Sequence, residues 1–412
     1  MKDYLLHIKI SKRHLVILIT FLIFPFASLP LIITEIYNRN YYALYYLAIF
    51  MGLLSYLWIP SGDLYRYQMD YEVIKNINFS DLKNLLALDF IYPWIMLIYG
   101  KIGLNFELLR FTICSFCYIL YFRIFVSIIK ANDYLNESYL LSFCAFLIMF
   151  FLLRFSGFLT GVRFTFAMGI CFYAVFSIIY NEKKSGWILL IISAFIHFSF
   201  WAIFLIVFIV KIFKPKIYKS HLLTLMVCGY ILSTFFIEYF INLLPIDDVL
   251  KIHLANYTSG YYAQEEYASR PIGFRLSFLA SYFALYPGLL LILYKLKEYS
   301  LFSVFVGICI LLSFMFNMNS SYSRYAFLGV IFFTIPFLLQ YKTIFTKTHL
   351  YFFLCLSFIV YSASIYTVKR ELSCGHQYKI LYSPLPTILM STYDINWVNA
   401  NILTNGDMRK SN

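Results

Sequence analysis

The chain is a succession of apolar runs of membrane-spanning length, punctuated by short polar stretches. The runs fall at about 14–36, 41–58, 107–129, 138–153, 159–180, 187–210, 221–242, 273–294, 300–317, 325–340 and 348–366. Crossing about 30 Å of hydrocarbon takes roughly 17–25 residues of helix, since lipid offers no partner to an open backbone. No strand-like alternation recurs, which argues against a β-barrel. The first run is long, follows a polar stretch and lacks a small-residue cleavage site, so it does not read as a signal peptide. Composition agrees: 62% of the 412 residues are hydrophobic and 13% charged, against roughly 45–50% and 25% in ordinary soluble domains. A polar outer shell cannot hide that much apolar surface. A soluble enzyme, a nucleic-acid binder and a disordered chain are thereby excluded. The expectation is an all-α, polytopic integral membrane protein, a single domain over 1–412, with about 11 (10–12) transmembrane or re-entrant helices.

Phe90–Tyr99 is only ten uncharged residues between Asp89 and Lys101, with Pro93 inside. That length suits an interfacial or partly buried helix, which makes 59–106 one large extramembrane segment. The net charge of +13 is distributed as punctuation between runs rather than as a nucleic-acid-binding patch. Alternating sides from residue 107, one set of loops carries Lys130, Lys183, Lys184, Lys295, Lys297, Lys342 and Lys347. The opposite set carries Arg154, Arg270 and Arg324, with Arg163 and Arg275 just inside the adjoining helices. Lysine-bearing short loops belong in the cytoplasm. The arginines then gather on the outer face, together with loops at about 59–106 and 243–272. A polar tail, 367–412, closes the chain.

Two places resist simple alternation. The basic stretch Lys211–Lys219 lies one apolar run from Lys183 and Lys184. A re-entrant pair of half-helices over 187–210, turning near His197, would put both loops on one side. At the amino terminus, Lys2, Lys9, Lys12 and Arg13 argue for a cytoplasmic start, which conflicts with an outer 59–106 unless 14–36, carrying Pro25 and Pro30, fails to span.

Arginine grips phosphate oxygens through a planar fork that donates two parallel hydrogen bonds. Arg154, Arg163, Arg270, Arg275 and Arg324 on one face suit a lipid-linked pyrophosphate; as single residues they would read as interfacial anchors. Asp63, beside Gly62 at the end of a span, suits a general base on a sugar hydroxyl, or else a helix cap. His197 lies deep in an apolar run, either as a working side chain or as a satisfied structural one. Gly157 and Gly161 suit close helix packing or a tight turn. Tyr261, Tyr262, Glu265 and Glu266 in the loop 243–272 suit sugar binding through stacking and hydrogen bonds. With 38 Tyr and 45 Phe in the chain, that cluster alone decides little. Cys114 and Cys117 form a C-x-x-C inside an apolar run and read as packing residues, not as a disulfide or metal pair. Carboxylates and histidines are not clustered at ligand spacing, so no metal or other cofactor is expected.

Four motifs in order resemble a known family. They are Gly62 and Asp63 with Tyr67 after an early span; Gly161-Val162-Arg163 with Ala167; Ala194-x-x-His197-x-Ser199 after a short Lys-rich loop; and Arg324-Tyr325 before a late span. Together they resemble the Wzy-type polymerases of O-antigen or capsular repeat units, most closely the EpsG-like branch. Phe164 departs from the glutamine often found there in relatives. The resemblance implies an architecture similar to GT-C glycosyltransferases in a bacterial inner membrane. It implies undecaprenyl-pyrophosphate-linked oligosaccharide as donor and acceptor, joined on the outer face, with membrane lipid and a chain-length regulator as partners. In that reaction Asp63, Arg163, His197 and Arg324 would act catalytically. Tyr67, Arg154, Tyr261, Tyr262, Glu265, Glu266, Arg270 and Arg275 would bind substrate. A flippase of the same lipid-linked oligosaccharide, and a ligase or acyltransferase of surface polysaccharide, are the competing classes. A flippase should show repeat-related halves, and no internal repeat is visible.

Overall fold

The computed structural model describes residues 12–79, 81, 89–155, 157–159, 162–214, 219–243, 251, 272–273, 275–276, 279–280, 301–315, 319–403 and 406. Among these the secondary structure is helical, with no β-strand. The principal helices are α1 (Lys12–Ile23), α2 (Leu29–Tyr37), α3 (Ala43–Leu57), α4 (Asp63–Ile74), α5 (Ile91–Lys101), α6 (Phe106–Ala131), α7 (Asp133–Glu137) and α8 (Tyr139–Leu152). They continue with α9 (Val162–Ile179), α10 (Ser185–Ile196), α11 (Phe200–Phe213), α12 (Lys219–Leu243), α13 (Leu301–Phe314), α14 (Asn319–Leu339) and α15 (Lys347–Thr367). The tail adds α16 (Lys369–Cys374), α17 (Leu385–Leu389) and α18 (Ile395–Asn401). Among the described residues, four helical segments are long and apolar enough to cross a membrane: Phe106–Ala131, Val162–Ile179, Tyr322–Leu339 and Lys347–Thr367. Most of the run at 273–294 and most of the loop 243–272 lie outside the described residues.

Some runs of spanning length form shorter helices than the sequence leads one to expect. α3 and α8 have 15 and 14 residues, about 21–23 Å at 1.5 Å per residue. Local chemistry stops them. The chain leaves α3 in extended geometry at Trp58 (φ −68°, ψ 133°), and Pro60 disfavours a return to helix at Ile59, the residue before it. After α8, Arg154 takes a left-handed φ of 57°, which no α-helix continues through.

Contacts between neighbouring helices fix their directions. α3 and α6 are antiparallel: Arg110 Nη1 donates to Trp58 O at 2.8 Å, while Tyr41 and Phe125 meet at 6.0 Å. α6 and α9 are parallel, since Cys117 Sγ lies 3.5 Å from Thr165 O and Arg123 sits over Tyr173. α8 runs against α6, with Phe146 on Phe125 and Phe150 on Tyr118. The carbonyls at the end of α14 and just beyond it, Leu338, Leu339 and Tyr341, accept from Asn132 Nδ2. Lys130, Lys183, Lys184, Lys342 and Lys347 therefore share one end of the bundle. Arg154, Arg163 and Arg324 share the other.

Both topological conflicts resolve as hairpins. The run at 187–210 breaks at His197 (φ −148°, ψ 115°) into α10 and α11, of 12 and 14 residues. Trp187 packs on Phe204 and Phe208 at 5.7 and 6.4 Å, and Lys211 Nζ reaches Glu182 Oε1 at 3.2 Å. The two arms thus run back on each other, each about 18–21 Å long, and both bases lie at the lysine end. The run at 14–36 behaves likewise and is not one span. α1 and α2 are separated at Pro25, and Arg13 meets Glu35 at 3.3 Å. Glu35 also accepts from Asn40 and Tyr42. The start of α1 is thereby placed beside the start of α3, at the lysine end.

α5 has 11 residues, about 17 Å, too short to cross, and Pro93 sits in its first turn where no hydrogen bond is lost. The tail folds against the arginine end. Tyr393 is its hub: its hydroxyl donates to Leu57 O, its N–H to buried Glu107, and its carbonyl accepts from Gln68. Gly62 N–H donates to Gly406 O at 2.8 Å. Gly62 needs its φ of 59° to open α4, and a Cβ on Gly406 would collide with the Gly62 carbonyl, so glycine is required on both sides of this contact.

Candidate functional site at the arginine end

Four structural units converge where α9 begins. α4 supplies Asp63, Tyr67 and Asp70, spaced i, i+4 and i+7 and so on one face, with Arg66 beside them. Asp63 is the first helical residue, not the cap: Gly62 holds the cap position and the Asp63 side chain makes no capping bond. Its carboxylate pairs instead with Arg66 Nη2 at 3.0 Å, and both side chains are more than half exposed. A first-turn acid still complements the helix dipole.

The guanidinium of Arg163, in the first turn of α9, lies 5.7 Å from the centre of the Tyr67 ring. Arg66 approaches the same ring at 5.8 Å. Burial raises the Tyr67 hydroxyl above its ordinary range; the charges acting on it are, in order, Arg163, Asp63, Arg66 and Arg324. Burial also raises the Asp70 carboxyl, against the pull of Arg66 and then Arg163. These groups therefore belong to one electrostatic neighbourhood.

Asp89 joins them, although it reads in the sequence only as the end of a short apolar run. Its side chain is 7% exposed, and Oδ2 meets Arg163 Nη1 at 3.1 Å. Oδ1 accepts the Phe198 N–H at 2.6 Å, at the tip of the α10–α11 hairpin. The adjoining rings of Phe90 and Phe195 pack at 4.9 Å. The hairpin tip is thus tied to the large loop, and α14 holds it from another side through Tyr325, whose hydroxyl donates to Ser199 O at 2.5 Å.

His197 occupies that tip, 4% exposed. Its Nδ1 accepts from the Ser199 N–H at 3.3 Å and lies 2.8 Å from Ser199 Oγ. An amide N–H only donates, so the neutral ring carries its proton on Nε2. Phe164 meets His197 edge-on at 5.3 Å, and Arg324 lies 5.6 Å from the same Phe164 ring. Arg154 sits 4.9 Å over Phe327, one turn along α14 from Arg324.

Of the residues expected from sequence, Asp63, Tyr67, Arg163, His197 and Arg324 come together, with Arg154 at the margin. Arg275 is half-buried near the same end, where neighbouring Gly273 packs against Tyr366 of α15; none of the contacts above involves it. Tyr261, Tyr262, Glu265, Glu266 and Arg270 lie outside the described residues. Gly157 takes the tight-turn form, its N–H on Arg154 O and no room for a Cβ; Gly161 lies outside the described residues. Cys114 and Cys117 are buried and free, as packing residues. Arg110, missed as part of a long apolar helix, is 1% exposed and holds the carbonyls of Tyr56 and Trp58. Asp89 had one signal available: a half-buried arginine at the start of α9 favours a carboxylate nearby.

Fold and site define a class: a polytopic membrane protein that gathers arginines, carboxylates and a histidine at one end of its helices. The model of the EpsG family matches residues 41–383, most of the chain, and the protein belongs to that family. This agrees with the resemblance to Wzy-type polymerases carried by the four motifs, and it supports a polymerase-type role in polysaccharide biosynthesis. No curated protein and no solved structure matches the chain.

Proposed function

We propose that the chain joins undecaprenyl-pyrophosphate-linked oligosaccharide repeat units by glycosyl transfer at its arginine end, on the outer face of a bacterial inner membrane. In this reading an acceptor hydroxyl attacks the anomeric carbon of the growing chain. The bond from that carbon to the pyrophosphate oxygen breaks, and its electron pair leaves with the pyrophosphate. Negative charge grows on the leaving group in the transition state, and preplaced Arg163 and Arg324 stabilise it there. Asp63, exposed at the start of α4, takes the hydroxyl proton. His197 orients one of the two substrates or shares in the proton transfer, Tyr67 offers a stacking face, and Arg154 adds charge at the margin. The tyrosines and acids of the loop 243–272, with Arg270 and Arg275, complete the sugar and lipid contacts. A GT-C-type architecture belongs to the same proposal.

The observation that carries it is the convergence on Tyr67. Two arginines from different helices flank a ring whose own helix presents exposed Asp63, an arrangement suited to pyrophosphate beside a sugar. Purified protein in proteoliposomes, given lipid-linked repeat units, should lengthen the oligosaccharide. Movement of the substrate across the bilayer without lengthening would point to a flippase instead. Transfer to a different acceptor would point to a ligase.

A further inference from the structure

We propose that Asp89 is a positioning residue that sets the orientation of Arg163 and of the hairpin tip bearing His197. The inference rests on the glycosyl-transfer reading for what the two residues do, and on geometry for how they are held. A carboxylate 7% exposed loses most of its hydration, which is costly unless it is paired and hydrogen-bonded. Asp89 uses both oxygens, and it sends them to two different elements. Fixing one Nη corner of a planar guanidinium restricts the plane of the whole group, and here that group lies beside the Tyr67 ring.

The second oxygen acts where the helix is broken. Phe198 lies between α10 and α11, where no helical ladder spans the break at His197. A buried N–H without an acceptor is costly, and Asp89 accepts this one at 2.6 Å. The residue before it in sequence is His197. One side chain of the large loop therefore fixes a guanidinium at a helix start and a re-entrant tip at once: it engages one Nη of Arg163 and, at the tip, a backbone N–H rather than the His197 ring.

Asp89→Asn and Asp89→Ala separate the two arms. The asparagine variant keeps an oxygen for the Phe198 N–H but turns an amide donor toward Arg163. Turnover per folded protein should fall on the order of 10–10²-fold, as misplacement of a charge-stabilising group does. Hydrogen exchange at Phe198 should stay near wild type. The alanine variant should also speed exchange at Phe198. In an Arg163→Lys background, Asp89→Asn should add no more than about a twofold loss, because both changes act on one interaction. Unchanged turnover in Asp89→Asn, losses that multiply with Arg163→Lys, or Phe198 exchange unaltered in Asp89→Ala would each overturn the proposal. If Asp89→Ala yields no folded protein, the coupling with Arg163→Lys decides alone. A wild-type protein that lengthens no chain, while Phe198 exchange still rises in Asp89→Ala, would defeat the polymerase reading and leave the clamp standing.

Discussion

The two ends of the bundle use positive charge in opposite ways. At one end Lys130, Lys183, Lys184, Lys342 and Lys347 are exposed and stand in short loops or at the helix ends beside them. At the other, Arg154, Arg163 and Arg324 are half-buried against aromatic rings, and Arg110 is fully enclosed. An ammonium on a long stem is strongly hydrated and serves orientation from the surface. A guanidinium tolerates partial burial because it stacks and donates from a rigid fork. The lysine end therefore has the features of an anchor, and the arginine end those of a receptor for anions.

Substitutions at the two ends should differ accordingly. The largest effect is expected from Asp63→Asn, which removes the proposed base from an exposed position where folding depends on it little. Turnover should drop on the order of 10²–10⁴-fold, with the lipid-linked substrate still bound. Full activity would reduce Asp63 to a first-turn acid that only complements the helix dipole. Arg163→Lys should come next, on the order of 10²–10³-fold in turnover, since the charge remains while the fork is lost. Normal polymer length at a normal protein level would remove Arg163 from the site.

Arg110→Ala sharpens the comparison from within the arginine end. Arg110 holds two backbone carbonyls in a sealed position, so its loss should appear as instability, about 1–3 kcal/mol for each carbonyl left buried without a donor, read as a fall in folded yield and melting temperature. A stable protein with impaired turnover would instead move Arg110 into the site. Smallest of all, Lys183→Ala or Lys184→Ala should leave turnover per folded protein within about twofold, as exposed substitutions do. A large loss there would break the division between the two ends.

Much of this division can be read from the sequence, because lipid forces contiguous apolar runs and leaves the charges as visible punctuation. The hairpin at 187–210 is foreshadowed by the lysines on both its sides, and that at 14–36 by Pro25 and Pro30. The site was legible only in part. Asp63, Tyr67, Arg163, His197 and Arg324 stand out as charged or polar groups at span boundaries or inside apolar runs. Asp89 does not, because a single acid at the end of ten apolar residues is indistinguishable from a loop residue until its partners at 163 and 198 are placed in space. Tyr393 carries even less signal. It is one tyrosine among 38, and its role at the base of α4 arises from bonds to residues more than 280 positions away.

An outer-face polymerase requires the arginine end to face outward. Single cysteines at Asn78 and at Lys184, in a background with Cys228, Cys355 and Cys374 replaced by serine, test it directly, since both positions are exposed at opposite ends. In intact spheroplasts a membrane-impermeant thiol reagent should label the cysteine at position 78 and spare the one at position 184. Labelling at 184 with protection at 78 would turn the molecule over and contradict an outer-face polymerase.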